Sequence, residues 1–292
     1  SFPFFPFPFL HFRLFSQTKT TTKKKVRGNM ELPTIQNGQR KVVQIKEGEV
    51  FCLPSRIPHS PQRPETGSLG LVIERERYVD PLILNGHEPE LDGLRWFVNF
   101  EETTGKDILW EKFFHCYDLG RDLVPVVQEY HSSTEKTSRV PSSNSVLTKE
   151  TRPLIVDETT TVPDPFNLME WIGSHLDQIK DCEKGLDLFH HGDSEQSAHP
   201  DREYKIRISG GFDLADGEDK IVKYESWKGD TWLYQINGSS CVLLGGESDR
   251  TNGQQLLERC SGVVPPNISF EVVHERRGGL LMMVQNDWCG NK

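Results

Sequence analysis

His59 stands between two prolines in the run Leu53-Pro-Ser-Arg-Ile-Pro-His-Ser-Pro-Gln-Arg63, just after the β-type stretch Glu49-Val-Phe-Cys-Leu53. Pro58 and Pro61 lock their own φ angles and remove two backbone donors, so the imidazole between them is held rigidly. A rigid, inward imidazole is a candidate metal ligand. Four residues on, Arg63 offers a planar fork suited to gripping a carboxylate in a bidentate pair. Glu74, at the end of the apolar run Gly70-Leu-Val-Ile-Glu74, can accept a hydrogen bond or a proton from a phenolic hydroxyl. Each has a plainer reading beside it. A histidine outside such a proline frame is more often a packed core residue, and Arg63 and Glu74 can pair with each other or with surface charges.

Strands must position these groups. Lys41-Val-Val-Gln-Ile45, Glu49 to Leu53, Leu69-Gly-Leu-Val-Ile-Glu-Arg75 and residues 91–100 read as short strands, most bounded by glycine or proline. Lys106 to Tyr130 reads as more helical, broken at Gly120 and Pro125. Residues 131–166 are rich in Ser, Thr and Pro and read as a linker. Asn167-Leu-Met-Glu170 then caps a helix whose face carries Leu168, Trp171, Ile172, His175, Leu176 and Ile179. His175 on that face reads as packed rather than ligating. Beyond residue 200 strands return at Tyr204 to Ser209, Asp230 to Gly238, Ser240 to Gly245, Gly262 to Val264 and Gly279 to Val284.

The composition bounds the rest. At 292 residues and 35% apolar content, two medium domains are expected. The net charge of -9 conceals an asymmetry: residues 1–30 hold six Lys/Arg and no acid, leaving 28 basic against 43 acidic residues in the remainder. An acidic body argues against nucleic-acid binding. No stretch approaches the roughly 18 apolar residues a membrane span needs. Six scattered cysteines without a C-x-x-C point to reduced thiols and a cytoplasmic location. His190, His191, Asp193 and His199 lie in a polar loop and read as solvated, as do Glu101-Glu102 and Asp213 to Asp216.

Gly48 to His59 reads G-x5-P-x-R-x2-H and resembles the second half of the cupin signature, G-x5-P-x-G-x2-H, whose histidine binds a metal inside a small β-barrel. The expected fold is therefore mostly β: a bicupin of double-stranded β-helix barrels with a few helices and a truncated first barrel. Residues 28–130 form the first, catalytic-type barrel, 131–166 the linker and 167–292 a second barrel without a metal site. Glu258 to Phe270 echoes Ile45 to His59 with Phe270 in the histidine's place, which predicts an apolar interior for the second barrel.

The resemblance narrows further. Leu53 to Arg63, Gly70-Leu-Val-Ile-Glu-Arg-Glu-Arg77, Leu91-Asp-Gly-Leu-Arg-Trp-Phe97, Trp110-Glu-Lys-Phe-Phe-His-Cys-Tyr-Asp-Leu-Gly120 and Gln128-Glu-Tyr-His-Ser-Ser133 are similar to the 3-hydroxyanthranilate 3,4-dioxygenase family. Asp230 to Ser240 resembles the second barrel of its animal-type, single-chain form. The likeness implies an Fe(II) extradiol dioxygenase that opens the ring of 3-hydroxyanthranilate with O2 to 2-amino-3-carboxymuconate semialdehyde, which cyclises to quinolinate on the kynurenine route to NAD. It implies His59 as an iron ligand, Arg63 on the substrate carboxylate and Glu74 on the ring hydroxyl. A monomer is expected, because a second barrel can cover the face a partner would otherwise cover.

Iron chemistry with O2 needs two imidazoles and a carboxylate on one face of the metal. In the family the remaining ligands and a further substrate-binding Arg precede the position of Gly28. Here residues 1–27 hold a Phe/Pro run and a Thr/Lys tract instead; His11 is the sole earlier histidine, and no acid occurs before Glu31. The segment resembles a transit peptide in lacking acids. It also reads as a translated pyrimidine-rich tract from a wrong gene model, and is expected to be disordered. The polypeptide as written is expected to be inactive, and a non-catalytic bicupin that binds a small aromatic acid is the alternative.

Overall fold

The computed structural model describes the backbone of residues 12–15, 28–54, 57–73, 94–99, 108–114, 119–141, 157, 160–189, 204–211, 219–246, 250–275 and 278–286. The chain divides into two compact units. The first comprises Ser1–Thr20, Val26–Glu47 and Leu53–Pro165, the second Thr21–Lys25, Gly48–Cys52 and Phe166–Lys292.

In the first unit β1 (Phe12–Phe15) is followed by a hairpin of β2 (Met30–Gln36) and β3 (Gln39–Ile45). Asn37 and Gly38 both take positive φ, 51° and 70°, the conformation a two-residue hairpin turn needs to match strand twist. The next strand, β4 (Glu49–Val50), belongs to the second unit. β5 (Gly70–Ile73) pairs antiparallel with β1, and β6 (Leu94–Asn99) with β7 (Ile108–Phe114). Of residues 1–27, Phe12–Phe15 are the ones described, and they form a strand along β5.

Helices α1 (Leu119–Ser132) and α2 (Thr134–Ser138) follow β7 in this unit. Trp96, Val98, Trp110 and Phe114 of the β6–β7 hairpin pack against Leu123, Val126 and Tyr130 of α1. The rings of Trp96, Trp110 and Tyr130 meet at 5.6–5.8 Å in the edge-on and tilted arrangements that aromatic quadrupoles favour. Beside them Arg95 and Glu111 form an ion pair at 2.6 Å with side chains 4% and 0% exposed.

Two expectations change here. Ile108–Phe114 is a strand rather than part of a helix, because its partner β6 supplies the ladder and both of its faces carry large side chains with something to pack against. The helix expected to break at Pro125 runs through it, held by Val126 and Tyr130 in the aromatic cluster.

In the second unit β8 (Phe166–Asn167) pairs with β4. Asn167 caps α3 (Leu168–Ser174), its Oδ1 accepting from the amides of Met169 and Glu170 at 3.0 and 3.1 Å. His175 interrupts the helix before α4 (Leu176–Asp181). Its ring stacks on Trp171 with centroids 4.4 Å apart, the packed placement expected of it.

The strands that follow are β9 (Leu186–Asp187), β10 (Tyr204–Gly211), β11 (Lys220–Tyr224), β12 (Thr231–Asn237), β13 (Ser239–Leu244), β14 (Gln254–Leu257), β15 (Ser261–Val264), β16 (Phe270–His274) and β17 (Gly279–Asn286). They build two antiparallel sheets in the orders β15-β12-β17-β10-β9 and β11-β16-β13-β14. Successive strands alternate between the sheets from β10 to β13, the winding of a double-stranded β-helix, so the cupin expectation is met by topology.

Gly238 makes the corner where the chain changes sheet. Its φ is +65°, and a Cβ there would lie 2.9 Å from the carbonyl oxygen of Gly278. Phe270, Val272, Val222, Val242, Leu233 and Met283 fill the space between the sheets. Phe270 is 2% exposed and stacks on Tyr224, which makes this interior largely apolar, as the sequence echo that puts Phe270 in the place of His59 predicts.

Candidate functional site

Residues 57–63 run antiparallel to β2 as an extended edge. Ser60 N donates to Pro33 O and Ile35 N to Pro58 O, both at 3.0 Å; Gln62 and Glu31 exchange amide bonds of 2.8 and 2.9 Å. The bridges Thr34↔His59 and Glu31↔Gln62 share one register. Backbone groups of 58, 60 and 62 therefore face β2, while those of 59 and 61 face away. Pro61 thus lacks its N–H where the ladder asks for none, which is where a strand tolerates proline.

Residues directly opposite in an antiparallel pair project to the same face. Leu32, Thr34 and Gln36 are the buried residues of β2, and Ile57, His59 and Arg63 project to the same side of the pair as they do. Ile57 is 2% exposed. His59 itself is exposed and Arg63 half-buried. The imidazole therefore stands in solvent, and the inward placement expected of it is not met, because residues 59–62 of this edge are uncovered. His59 and Arg63 are four residues apart, roughly 13 Å along an extended strand, a span that two long side chains and one small aromatic ring bridge.

The ring of His59 has a defined orientation. Its Nδ1 lies 2.8 Å from the carbonyl oxygen of Ile57. A carbonyl accepts only, so Nδ1 carries the hydrogen and the neutral ring keeps its lone pair on Nε2. That carbonyl contact is the outer support that metal-binding imidazoles use to fix tautomer and direction.

The surrounding polar groups are tied to protein partners. Thr34 Oγ1 donates to Lys41 O at 2.9 Å and accepts from Gln36 Nε2 at 2.8 Å, while Gln36 Oε1 accepts from Val162 N at 3.1 Å. At the other end Asn29 Nδ2 donates to Glu65 Oε1 at 2.8 Å, and Glu47 N donates to Asn29 Oδ1 at 3.0 Å. These bonds hold the turn after Arg63 to the start of β2. The guanidinium of Arg63 lies directly over the backbone of Gly70 in β5.

Glu74 falls outside the described residues, as do Glu101-Glu102, His190, His191, Asp193, His199 and Asp213 to Asp216. Among the described residues no group of three or more His, Cys, Asp and Glu is arranged to hold a metal ion. His59 is suited to be one ligand of such a site, and the described residues do not complete it.

Sequence reasoning missed a polar centre inside the second unit. His274 is fully buried, with Nδ1 3.0 Å from Ser240 Oγ and Nε2 3.0 Å from Ser209 Oγ. The Tyr224 hydroxyl donates to Ser209 Oγ at 3.2 Å. Burial, reinforced by the Lys220 ammonium on the neighbouring strand, pushes the His274 imidazole down from 6.5 to about 3, so it is neutral. Lys220 Nζ itself donates to the carbonyls of Ile179 and Lys180 at the end of α4, at 2.6 and 2.7 Å. The register of β11, β13 and β16, Lys220↔His274 and Ser240↔His274, brings three of these residues together, and Ser209 joins them from β10 of the other sheet.

No helix among the described residues is long and apolar enough to cross a membrane.

Comparison with known proteins agrees with the expected family. The profile of 3-hydroxyanthranilic acid dioxygenase matches residues 18–131, a stretch that contains His59, Arg63 and Glu74 and begins ten residues before Gly28. The 3-hydroxyanthranilate 3,4-dioxygenase of Nematostella vectensis is 40% identical over 274 residues, 92% of this chain and 81% of that one. The enzyme of Xenopus tropicalis is 38% identical over 223 residues, 76% of this chain and 67% of its own. The human enzyme is 34% identical over 222 residues, 76% of this chain and 65% of its own. The chain thus spans about two thirds of the length of these vertebrate relatives and more of the sea-anemone one. Identity at this level, over most of the chain, means that it belongs to the 3-hydroxyanthranilic acid dioxygenase family.

Proposed function

We propose that the first unit recognises 3-hydroxyanthranilate, and that the family's reaction is Fe(II)-dependent extradiol opening of that ring by O2 to 2-amino-3-carboxymuconate semialdehyde, the precursor of quinolinate and NAD. The observation that carries the reading is that His59 and Arg63 project to the same side of one strand edge, with Nδ1 of His59 bound to a carbonyl. Arg63 grips the carboxylate, and Glu74 accepts from the ring hydroxyl and so draws the phenol toward its anion. Iron, when bound, supplies the route by which the spin-paired ring and triplet O2 react; both oxygen atoms end in the product, across the broken ring carbon–carbon bond.

The polypeptide as written offers His59 where such a centre needs two imidazoles and a carboxylate, and residues 1–30 bring one histidine and no acid. We therefore read this chain as one that binds the aromatic acid and does not turn it over, acting in the cytoplasm as a monomer without nucleic-acid or membrane partners. Anaerobic loading with Fe(II), followed by metal analysis, calorimetry with 3-hydroxyanthranilate and the absorbance of the ring-opened product, tests both parts. The expected result is iron well below one per chain, no ring opening and retained binding. Stoichiometric iron with ring opening overturns the inactive half; absence of binding overturns the recognition half.

A further inference from the structure

We infer that Gly70 is a positioning residue for Arg63: the missing side chain at this point of β5 is the seat on which the guanidinium rests, and it sets where Arg63 meets a substrate carboxylate. This rests on the recognition reading above and adds a residue to it. A Cβ built at Gly70 has as its three nearest neighbours the two terminal nitrogens and Cζ of Arg63, with Nη1 at 2.9 Å and Cζ at 3.0 Å. Real side chains essentially never approach a Cβ so closely, so one methyl group makes the guanidinium shift off its present seat.

The three closest atoms all belong to the flexible tip of Arg63 and none to backbone, and Gly70 is not among the glycines with positive φ, so alanine there meets no backbone strain. Gly70 is also the first residue of β5, paired with Phe15 of β1, and strand backbone is a rigid platform for a planar group. Arg63 has four rotatable bonds of its own. Its base is fixed by the Gln62–Glu31 amide pair and by the Asn29–Glu65 bond just beyond it, and its tip by the flat surface at Gly70. A guanidinium so placed exposes an edge of N–H donors and loses little freedom when a carboxylate arrives.

The test uses the full chain without added metal. Affinities for 3-hydroxyanthranilate and for 2-aminophenol, the same ring without its carboxylate, are measured by calorimetry for the unsubstituted chain, Gly70→Ala, Arg63→Lys and the double variant. The Arg63 Nε–H signal is followed in parallel by NMR. Gly70→Ala is expected to shift the Arg63 signal before any ligand is added and to weaken 3-hydroxyanthranilate roughly ten- to hundredfold, the worth of a charge-assisted pair. It should leave 2-aminophenol unchanged. In the Arg63→Lys background Gly70→Ala should add almost nothing, because the slimmer ammonium does not need the seat. A general weakening of β5 would instead lower both ligands in both backgrounds, and that outcome overturns the inference, as does Gly70→Ala that binds like the unsubstituted chain. If Arg63→Lys leaves 3-hydroxyanthranilate binding unchanged, or the unsubstituted chain shows no carboxylate preference, the recognition reading fails as well.

Discussion

Acid should loosen the second unit through a single histidine. In the unfolded chain His274 takes up a proton near pH 6.5; folded, it stays neutral down to about 3 because it is buried among Ser209, Ser240 and Tyr224 and faces Lys220. Between those values the unfolded state binds more protons, so stability rises with pH. The contribution is complete above pH 6.5 and is lost as pH falls toward 3. One proton gives a slope of about 1.4 kcal/mol per pH unit, and a shift of this size sums to about 5 kcal/mol. That is comparable with the ~5–15 kcal/mol that holds a whole domain together.

The assay is hydrogen exchange at the Val272 and Val273 amides of β16, in the unsubstituted chain and in His274→Gln, between pH 6.5 and 4 after correction for intrinsic exchange. The variant is less stable at neutral pH, so the slope rather than the level is informative. The unsubstituted chain should lose local stability faster by about 1.4 kcal/mol per pH unit than the variant. Equal slopes, or an imidazole signal from the folded protein titrating near 6.5, would refute the reasoning.

Three further outcomes are expected. Glu111→Gln removes the charge compensating Arg95 in a nearly dry setting and should cost ~3–5 kcal/mol in urea unfolding of the first unit. Lys112→Met, which removes the exposed partner of Glu129 on the same strand, should stay within about 1 kcal/mol, and equal costs for the two would contradict the burial argument. Phe270→Ala empties the middle of the second barrel and should cost ~3–5 kcal/mol; a loss under 1 kcal/mol would mean that Phe270 does not fill that interior.

The features legible in sequence were those written in backbone chemistry. Prolines 58 and 61 announced the rigid edge that carries His59, and Asn167 followed by an apolar periodic run announced α3, because caps and prolines act locally. The second barrel's strands from Tyr204 onward followed from apolar runs and turn residues, and Phe270 in its interior from the echo of Ile45 to His59. Ile108–Phe114 was misread because Glu111, buried against Arg95, breaks the polar–apolar alternation that marks a strand. The linker reading of residues 131–166 missed α2, a five-residue helix whose N-cap, Ser133, accepts from the Lys136 amide. Composition alone could not show it. His274 and its serines were invisible because they lie 34 and 65 residues apart, and the only clue was the parity of β16. Nor does spacing say that Arg63 rests on Gly70, since that contact depends on the β5 backbone passing beneath a residue seven positions earlier.

The most direct test of recognition at the first unit is an NMR titration of isotope-labelled chain with 3-hydroxyanthranilate, following the His59 ring nitrogens and Arg63 Nε together. Both sets of signals should move along one saturable curve with a single Kd, with Nδ1 of His59 remaining protonated throughout. Signals of His59 and Arg63 that stay in place while others saturate, or that saturate at different concentrations, would contradict a shared site.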